Sequence, residues 1–172
     1  MTAGSLAVGG EPTFVTPIPG FQDLYQRHAD AVYRTALRVT GNAADAEDVL
    51  QNVFVRLLDR KLAVDPNWSP EGYLRRAATN ASIDLLRRKA ASHETAMEDG
   101  RDFPGKEGTV FLKQRMRRAL AKLEPAEAEL FVLCYLEGYS YEELAKLFGV
   151  ERGTIASRLF RTRAVLRKDL SK

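Results

Sequence analysis

Cysteine is almost missing from this chain: Cys134 is the only one in 172 residues. A single thiol excludes an internal disulfide and any multi-cysteine zinc site. Cys134 sits among Leu130, Phe131, Leu133 and Leu136, the setting of a buried, inert thiol. Histidine is nearly as scarce. His28 lies beside a helical apolar stripe and His93 in a polar stretch, and neither has partners at metal-ligand spacing. No metal or cofactor is therefore expected. There is no nucleotide loop and no nucleophile constellation, which speaks against an enzyme. No apolar run is long enough to span a bilayer, so no direct membrane insertion is expected. No Lys or Arg precedes Arg27, so the charged start of a secretory signal is lacking, and a cytoplasmic location is the expectation.

What is present is basic charge in blocks. The net charge is only +3, so its distribution matters more than its sum. Lys and Arg gather in 75–89, 115–118 and 152–168, whereas acidic residues gather in 45–48 and 94–107. A face that meets nucleic acid and a face that meets something else look separable.

The most informative stretch runs from Gly138 to Lys168. Ser140 followed by Glu143 has capping-box spacing. Leu144, Ala145, Leu147 and Phe148 form one apolar face, and Gly149 supplies a sharp turn. A second helix begins near Glu151 to Thr154 and carries Ile155, Leu159, Val165 and Leu166 inward. Its other face bears Arg152, Ser157, Arg158, Arg161, Arg163, Arg167 and Lys168. A short capped helix, a glycine turn and a longer basic helix make a helix-turn-helix, whose second helix enters a DNA major groove. A solvated basic helix in an ordinary bundle would share the charge but not the capped first helix and the turn.

Residues 1–20 have no usable periodicity and read as a mobile tail. Phe21 to Thr40 has helical apolar spacing through Leu24, Tyr25, Val32, Tyr33, Ala36 and Leu37. Gly41 and Asn42 break it, and Asn42 or Asp45 caps the next helix. That helix buries Val49, Leu50, Val53, Phe54, Leu57 and Leu58 and exposes Glu47, Asp48, Gln51, Asn52 and Arg56. The Glu47 and Asp48 pair suits the helix dipole and a partner surface better than catalysis, since neighbouring helical residues diverge. Lys61 to Pro70 reads as a loop in which Trp68 packs onto the bundle. Residues 69–89 form a helix with Leu74, Ala77, Ala78, Ala81 and Leu85 buried. Tyr73, Arg75, Arg76, Thr79, Asn80, Asp84, Arg87 and Arg88 remain outside. Arginines hold phosphates, an aromatic stacks on a base and an amide reads a base edge, so this side suits single-stranded nucleic acid. Asp84 is expected to pair with a nearby arginine.

Periodicity lapses from Ala90 to Val110, which reads as a linker. Phe111 to Leu123 and a helix opened by Pro125 support the helix-turn-helix as a small four-helix domain. The expected architecture is all-α: two small helical domains, 21–90 and 112–172, joined by a flexible linker at 91–111.

In order and spacing, three blocks of the chain resemble the extracytoplasmic-function sigma factors, two-domain promoter-specificity subunits of bacterial RNA polymerase. Asp45 to Leu57 resembles region 2.2, Tyr73 to Arg88 resembles regions 2.3 and 2.4, and Leu123 to Lys168 resembles region 4, most specifically at Gly153 to Arg163. The resemblance implies that Glu47, Asp48, Gln51, Asn52 and Arg56 bind core RNA polymerase. It implies that Tyr73, Arg76, Asn80 and Arg87 melt the −10 element and capture a flipped base. It implies that Arg152, Thr154, Ser157, Arg158, Arg161 and Arg163 read −35 promoter DNA. It also implies an anti-sigma factor as partner and an acidic linker that threads the polymerase toward the RNA path. Tyr73 stands where the family more often has Trp, and Ala156 where many relatives carry Lys or Arg, which predicts an altered sequence preference. The competing reading is a stand-alone helix-turn-helix transcriptional regulator.

Overall fold

A computed structural model describes residues 20–59, 69–95 and 107–171, which form seven helices and no strand. The N-terminal tail 1–19, the loop with Trp68 and the acidic stretch 96–106 lie outside the described residues. Helix α1 spans Phe21–Thr40, α2 spans Ala43–Asp59 and α3 spans Pro70–Thr95. Gly41 ends α1 in the left-handed conformation at φ 69°, its N–H donating to the Leu37 carbonyl oxygen. Asn42 then caps α2, its Oδ1 accepting from the Asp45 N–H at 3.1 Å. Val32, Ala36, Ala46, Val49, Val53, Phe54, Leu57, Leu74, Ala78 and Ala81 close a core among these three helices. Phe54 also meets the edges of Phe21 and Tyr25.

The C-terminal half consists of α4 Glu107–Lys122, α5 Pro125–Tyr135, α6 Tyr141–Phe148 and α7 Arg152–Leu170. Pro125 occupies the first turn of α5. Ser140 and Glu143 form the expected capping box at α6: Ser140 Oγ accepts from the Glu143 N–H, and the Glu143 carboxylate accepts from the Ser140 N–H. Gly149, at φ 64°, ends α6. Leu130, Leu133, Leu144, Ile155 and Leu159 pack as the core of this unit.

Both bundles match the expected all-α architecture, but they rest against each other. Val39, Ile83 and Leu86 of the first half share one buried cluster with Ala119, Leu120, Leu123, Ala128, Phe131, Val132 and Leu166 of the second. Helix α3 is the common wall. Its Leu74, Ala78 and Ala81 face α1 and α2, while Ile83 and Leu86 join the cluster shared with α4 and α5. For this reason Thr79, expected outside, is fully buried.

Other expectations are corrected. Helix α3 runs on to Thr95 and α4 begins at Glu107, so both helices reach into the stretch where periodicity lapses. Val165 is 53% exposed, and Thr162 takes the inward place because positions 155, 159, 162 and 166 follow one helical face. Leu37 and Tyr25 reach solvent, while Thr35 is buried. Asp84 makes no ion pair among the described residues.

Candidate nucleic-acid interface

Three of the four residues expected to hold an unpaired strand meet in one cleft. Tyr73, Arg76 and Asn80, with Ala77, form its α3 wall, and Val53 and Arg56 of α2 form the other. The spacing of 73, 76, 77 and 80 follows one face of a helix, so local periodicity alone aligns them. The cleft measures about 260 Å³. Tyr73 is half-buried against the first core, which fixes its ring beside the opening. Arg87 stands about two turns further along α3, in a second cleft with Asn52, Arg56, Asp84 and Arg88. Arg87 also donates to the Leu123 carbonyl oxygen at the end of α4. Arg56, expected at the polymerase surface, lines both clefts.

Two of the donors in the first cleft are already engaged, each through one nitrogen. Arg76 Nε donates to Glu129 Oε1 at 2.6 Å, and Asn80 Nδ2 donates to the same oxygen at 3.2 Å. The Arg76 guanidinium lies over the Phe148 ring, 4.6 Å from its centroid. Sequence reasoning found the arginine and the amide but neither Glu129 nor Phe148. A buried glutamate inside the apolar α5 sequence is the one local signal that could have raised the question.

On α2, Glu47, Asp48, Gln51, Asn52 and Arg56 are all exposed. Asn52 folds back to donate to the Asp48 carbonyl oxygen at 2.9 Å. Asp45, one turn earlier, is held by Lys89 of α3.

The second surface is α7. Arg152, Thr154, Ser157, Arg161 and Arg163 are exposed and Arg158 is half-buried, while Ile155 and Leu159 anchor the opposite side of the helix. Ser157 Oγ donates to the Thr154 carbonyl oxygen. Arg152 pairs with Glu142 of α6 at 2.5 Å, which ties the two helices of the helix-turn-helix at their turn. That arginine and a backbone N–H hold the Glu142 carboxyl below the ordinary glutamate range, the backbone bond being the larger cause. Burial pushes the Cys134 thiol up, against a weaker pull from Arg163. Cys134 is half-buried rather than enclosed, and its raised value agrees with an inert thiol. No cluster of His, Cys, Asp and Glu among the described residues could hold a metal ion.

Residues 24–92 match the family profile described as Sigma-70 region 2, and residues 113–166 match Sigma-70 region 4. Among the relatives, the RNA polymerase sigma factor CarQ of Myxococcus xanthus is 32% identical over 87% of this chain and 88% of its own length. The chain belongs to the extracytoplasmic-function sigma factors. The ECF RNA polymerase sigma factor SigE of Mycolicibacterium smegmatis is 36% identical over 90% of this sigma factor, which spans 63% of that relative's length. Among solved structures, the complex of the sigma factor RpoE with the anti-sigma factor NepR from Bartonella quintana shares the fold. Its TM-score is 0.52 at 22% identity, covering 90% of this chain and 98% of that one. Both sigma regions in one chain, in order, disfavour the stand-alone regulator. No helix among the described residues is long and apolar enough to cross a membrane.

Proposed function

We propose that this sigma factor binds core RNA polymerase and directs promoter recognition, −10 melting and transcription initiation. Glu47, Asp48, Gln51, Asn52 and Arg56 on α2 meet the polymerase. Tyr73, Arg76, Asn80 and Arg87 on α3 take the melted −10 strand, Tyr73 by stacking, Asn80 by reading a base edge and the arginines by holding phosphates. Arg152, Thr154, Ser157, Arg158, Arg161 and Arg163 on α7 read the −35 duplex from the major groove.

The observation that carries this reading is the presence of two chemically different faces on one chain. One is a cleft with an aromatic ring, a guanidinium and an amide; the other is a capped helix-turn-helix whose second helix exposes arginines. The units 21–90 and 112–172 are the two functional domains and 91–111 their linker. The chain performs no catalysis of its own, works in the cytoplasm, and is held in check by an anti-sigma factor of the kind bound to the Bartonella quintana relative.

The deciding experiment is transcription in vitro from a genomic fragment library with purified core polymerase, with and without the chain. New start sites sharing −10 and −35 sequences are expected only when both proteins are present. Equally tight and selective operator binding by the chain without polymerase, together with no new start sites, would overturn the reading.

A further inference from the structure

The second cleft lies between the same two helices as the first, and Arg56 of α2 borders both. Positions 73, 76, 77 and 80 are continued by 84, 87 and 88 at helical spacing, so one stripe of α3 serves both clefts. The second is the larger, at about 360 Å³ against about 260 Å³. Val49, Ala81 and Leu85 give it apolar walls. Three arginines line it, Arg56, Arg87 and Arg88, together with Asn52 and one carboxylate, Asp84.

Asp84 is the odd member of that lining. The paired basic residues of α3 hold other carboxylates: Arg75 takes Glu71, Arg76 takes Glu129 and Lys89 takes Asp45. Asp84 has Arg88 one turn away, at the spacing of a helical ion pair, and joins none of these pairs. Its carboxylate stays exposed in the cleft. A site for phosphate needs donors alone, and a carboxylate there repels the ligand. A base is different, because it carries donors as well as acceptors. Asn52 adds a second acceptor in its Oδ1, its Nδ2 being turned back to the Asp48 carbonyl oxygen. Apolar walls, guanidiniums and acceptors together suit a base better than a phosphate.

We propose that Asp84 reads an unpaired guanine of the melted strand in this second cleft. This rests on the reading of α3 as the strand-capturing helix. Guanine is the base with two adjacent donors, N1–H and the N2 amine, which match the two oxygens of one carboxylate. Adenine and cytosine offer a single amine there, and thymine a single N3–H. The guanidiniums of the cleft donate to guanine O6 and N7, the pairing arginine makes most often with a base. In duplex DNA the N1–H is held by the paired cytosine, so Asp84 gains its contact only after the strands part. A contact made only with open DNA favours opening by as much as it is worth. Asn80 and Arg87 lie about 10 Å apart along the helix axis. At about 3.4 Å per stacked nucleotide, the guanine falls within about three nucleotides of the base read by Asn80.

The test uses the full chain bound to core polymerase and a labelled single-stranded oligonucleotide carrying the −10 sequence found by the library transcription. Each position is replaced in turn by the other bases, and fluorescence anisotropy gives the affinity. One position near the Asn80-dependent base is expected to prefer guanine about tenfold. Inosine at that position lacks only the N2 amine. It is expected to bind the parent chain about fivefold less tightly than guanine, and Asp84→Ala as tightly as guanine does. Asp84→Ala should lose the guanine preference while keeping its melting temperature and its affinity for core polymerase. An inosine penalty of equal size in both chains would overturn the contact. A preference for cytosine, adenine or thymine that depends on Asp84 would overturn the assignment to guanine. Weaker polymerase binding by Asp84→Ala with unchanged base preferences would make Asp84 a polymerase contact and overturn the inference too. Asn80→Ala is measured alongside. If it weakens strand binding while Asp84→Ala changes nothing, this inference alone fails; if neither variant changes strand binding, the strand-capturing reading of α3 fails with it.

Discussion

Arg117 of α4 lies across Gly41 at the end of α1, its Nε donating to the Val39 carbonyl oxygen at 3.1 Å. A Cβ on Gly41 would run into that guanidinium, and the residue already sits at positive φ. One position thus serves a helix end and the contact between the two halves.

Gly41→Ala is expected to destabilise the chain. Left-handed backbone at a residue with a Cβ costs about 1–2 kcal/mol, and displacing Arg117 adds to it. Thermal melting should show a fall of about 2–4 °C for each kcal/mol in a chain of this size. A melting temperature equal to the parent's would show that neither the cap nor the contact matters.

Acid should weaken the helix-turn-helix through its capping box. The Ser140 backbone N–H, and then its hydroxyl, hold the Glu143 carboxyl below the ordinary glutamate value of 4.5. A carboxylate with a lowered folded pKa stabilises the fold above its unfolded pKa, and that contribution disappears as pH falls through the folded value. Chemical denaturation between about pH 5 and 3 should therefore show a smaller loss of stability in Glu143→Gln than in the parent. Parallel pH profiles would contradict the role given to this carboxylate.

Arg161 is exposed on α7, the helix proposed to read the −35 duplex. Arg161→Ala is expected to cost about 1–3 kcal/mol in binding to a −35 duplex if it contacts a base, with relaxed preference at one position. A uniform loss across sequences with a shallower salt dependence would instead mark a phosphate contact.

Asn80→Ala should impair open-complex formation more than it impairs binding to intact duplex, because its amide lies in the α3 cleft. Permanganate footprinting of the melted bases and duplex anisotropy together measure this. Equal losses in both would remove Asn80 from strand capture.

Much of this molecule follows from short-range pattern. The Ser140 and Glu143 box, Gly149, Pro125 and the helix break at Gly41 and Asn42 act within one or two turns, so neighbouring residues suffice to place them. The alignment of Tyr73, Arg76 and Asn80, and the outward arginines of α7, also follow from a 3.6-residue period. The errors fall where a helix is touched on more than one side. Because α3 carries apolar residues toward both halves, Thr79 is buried and Ile83 joins a cluster that single-face reading misses. Val165 and Thr162 exchanged places because an outward hydrophobe and an inward threonine both defy residue type.

The amino-acid sequence alone thus determined the helices, several of their ends, and most of the side chains each offers outward, since these depend on backbone propensity and periodicity. Only the tertiary structure decided what meets those side chains. Glu129 lies 53 residues from Arg76 and Glu137 lies 99 from Arg38, and no local rule relates residues so far apart. Their pairing comes from burial of a shared apolar cluster, which brings opposite charges within reach once the two halves are packed.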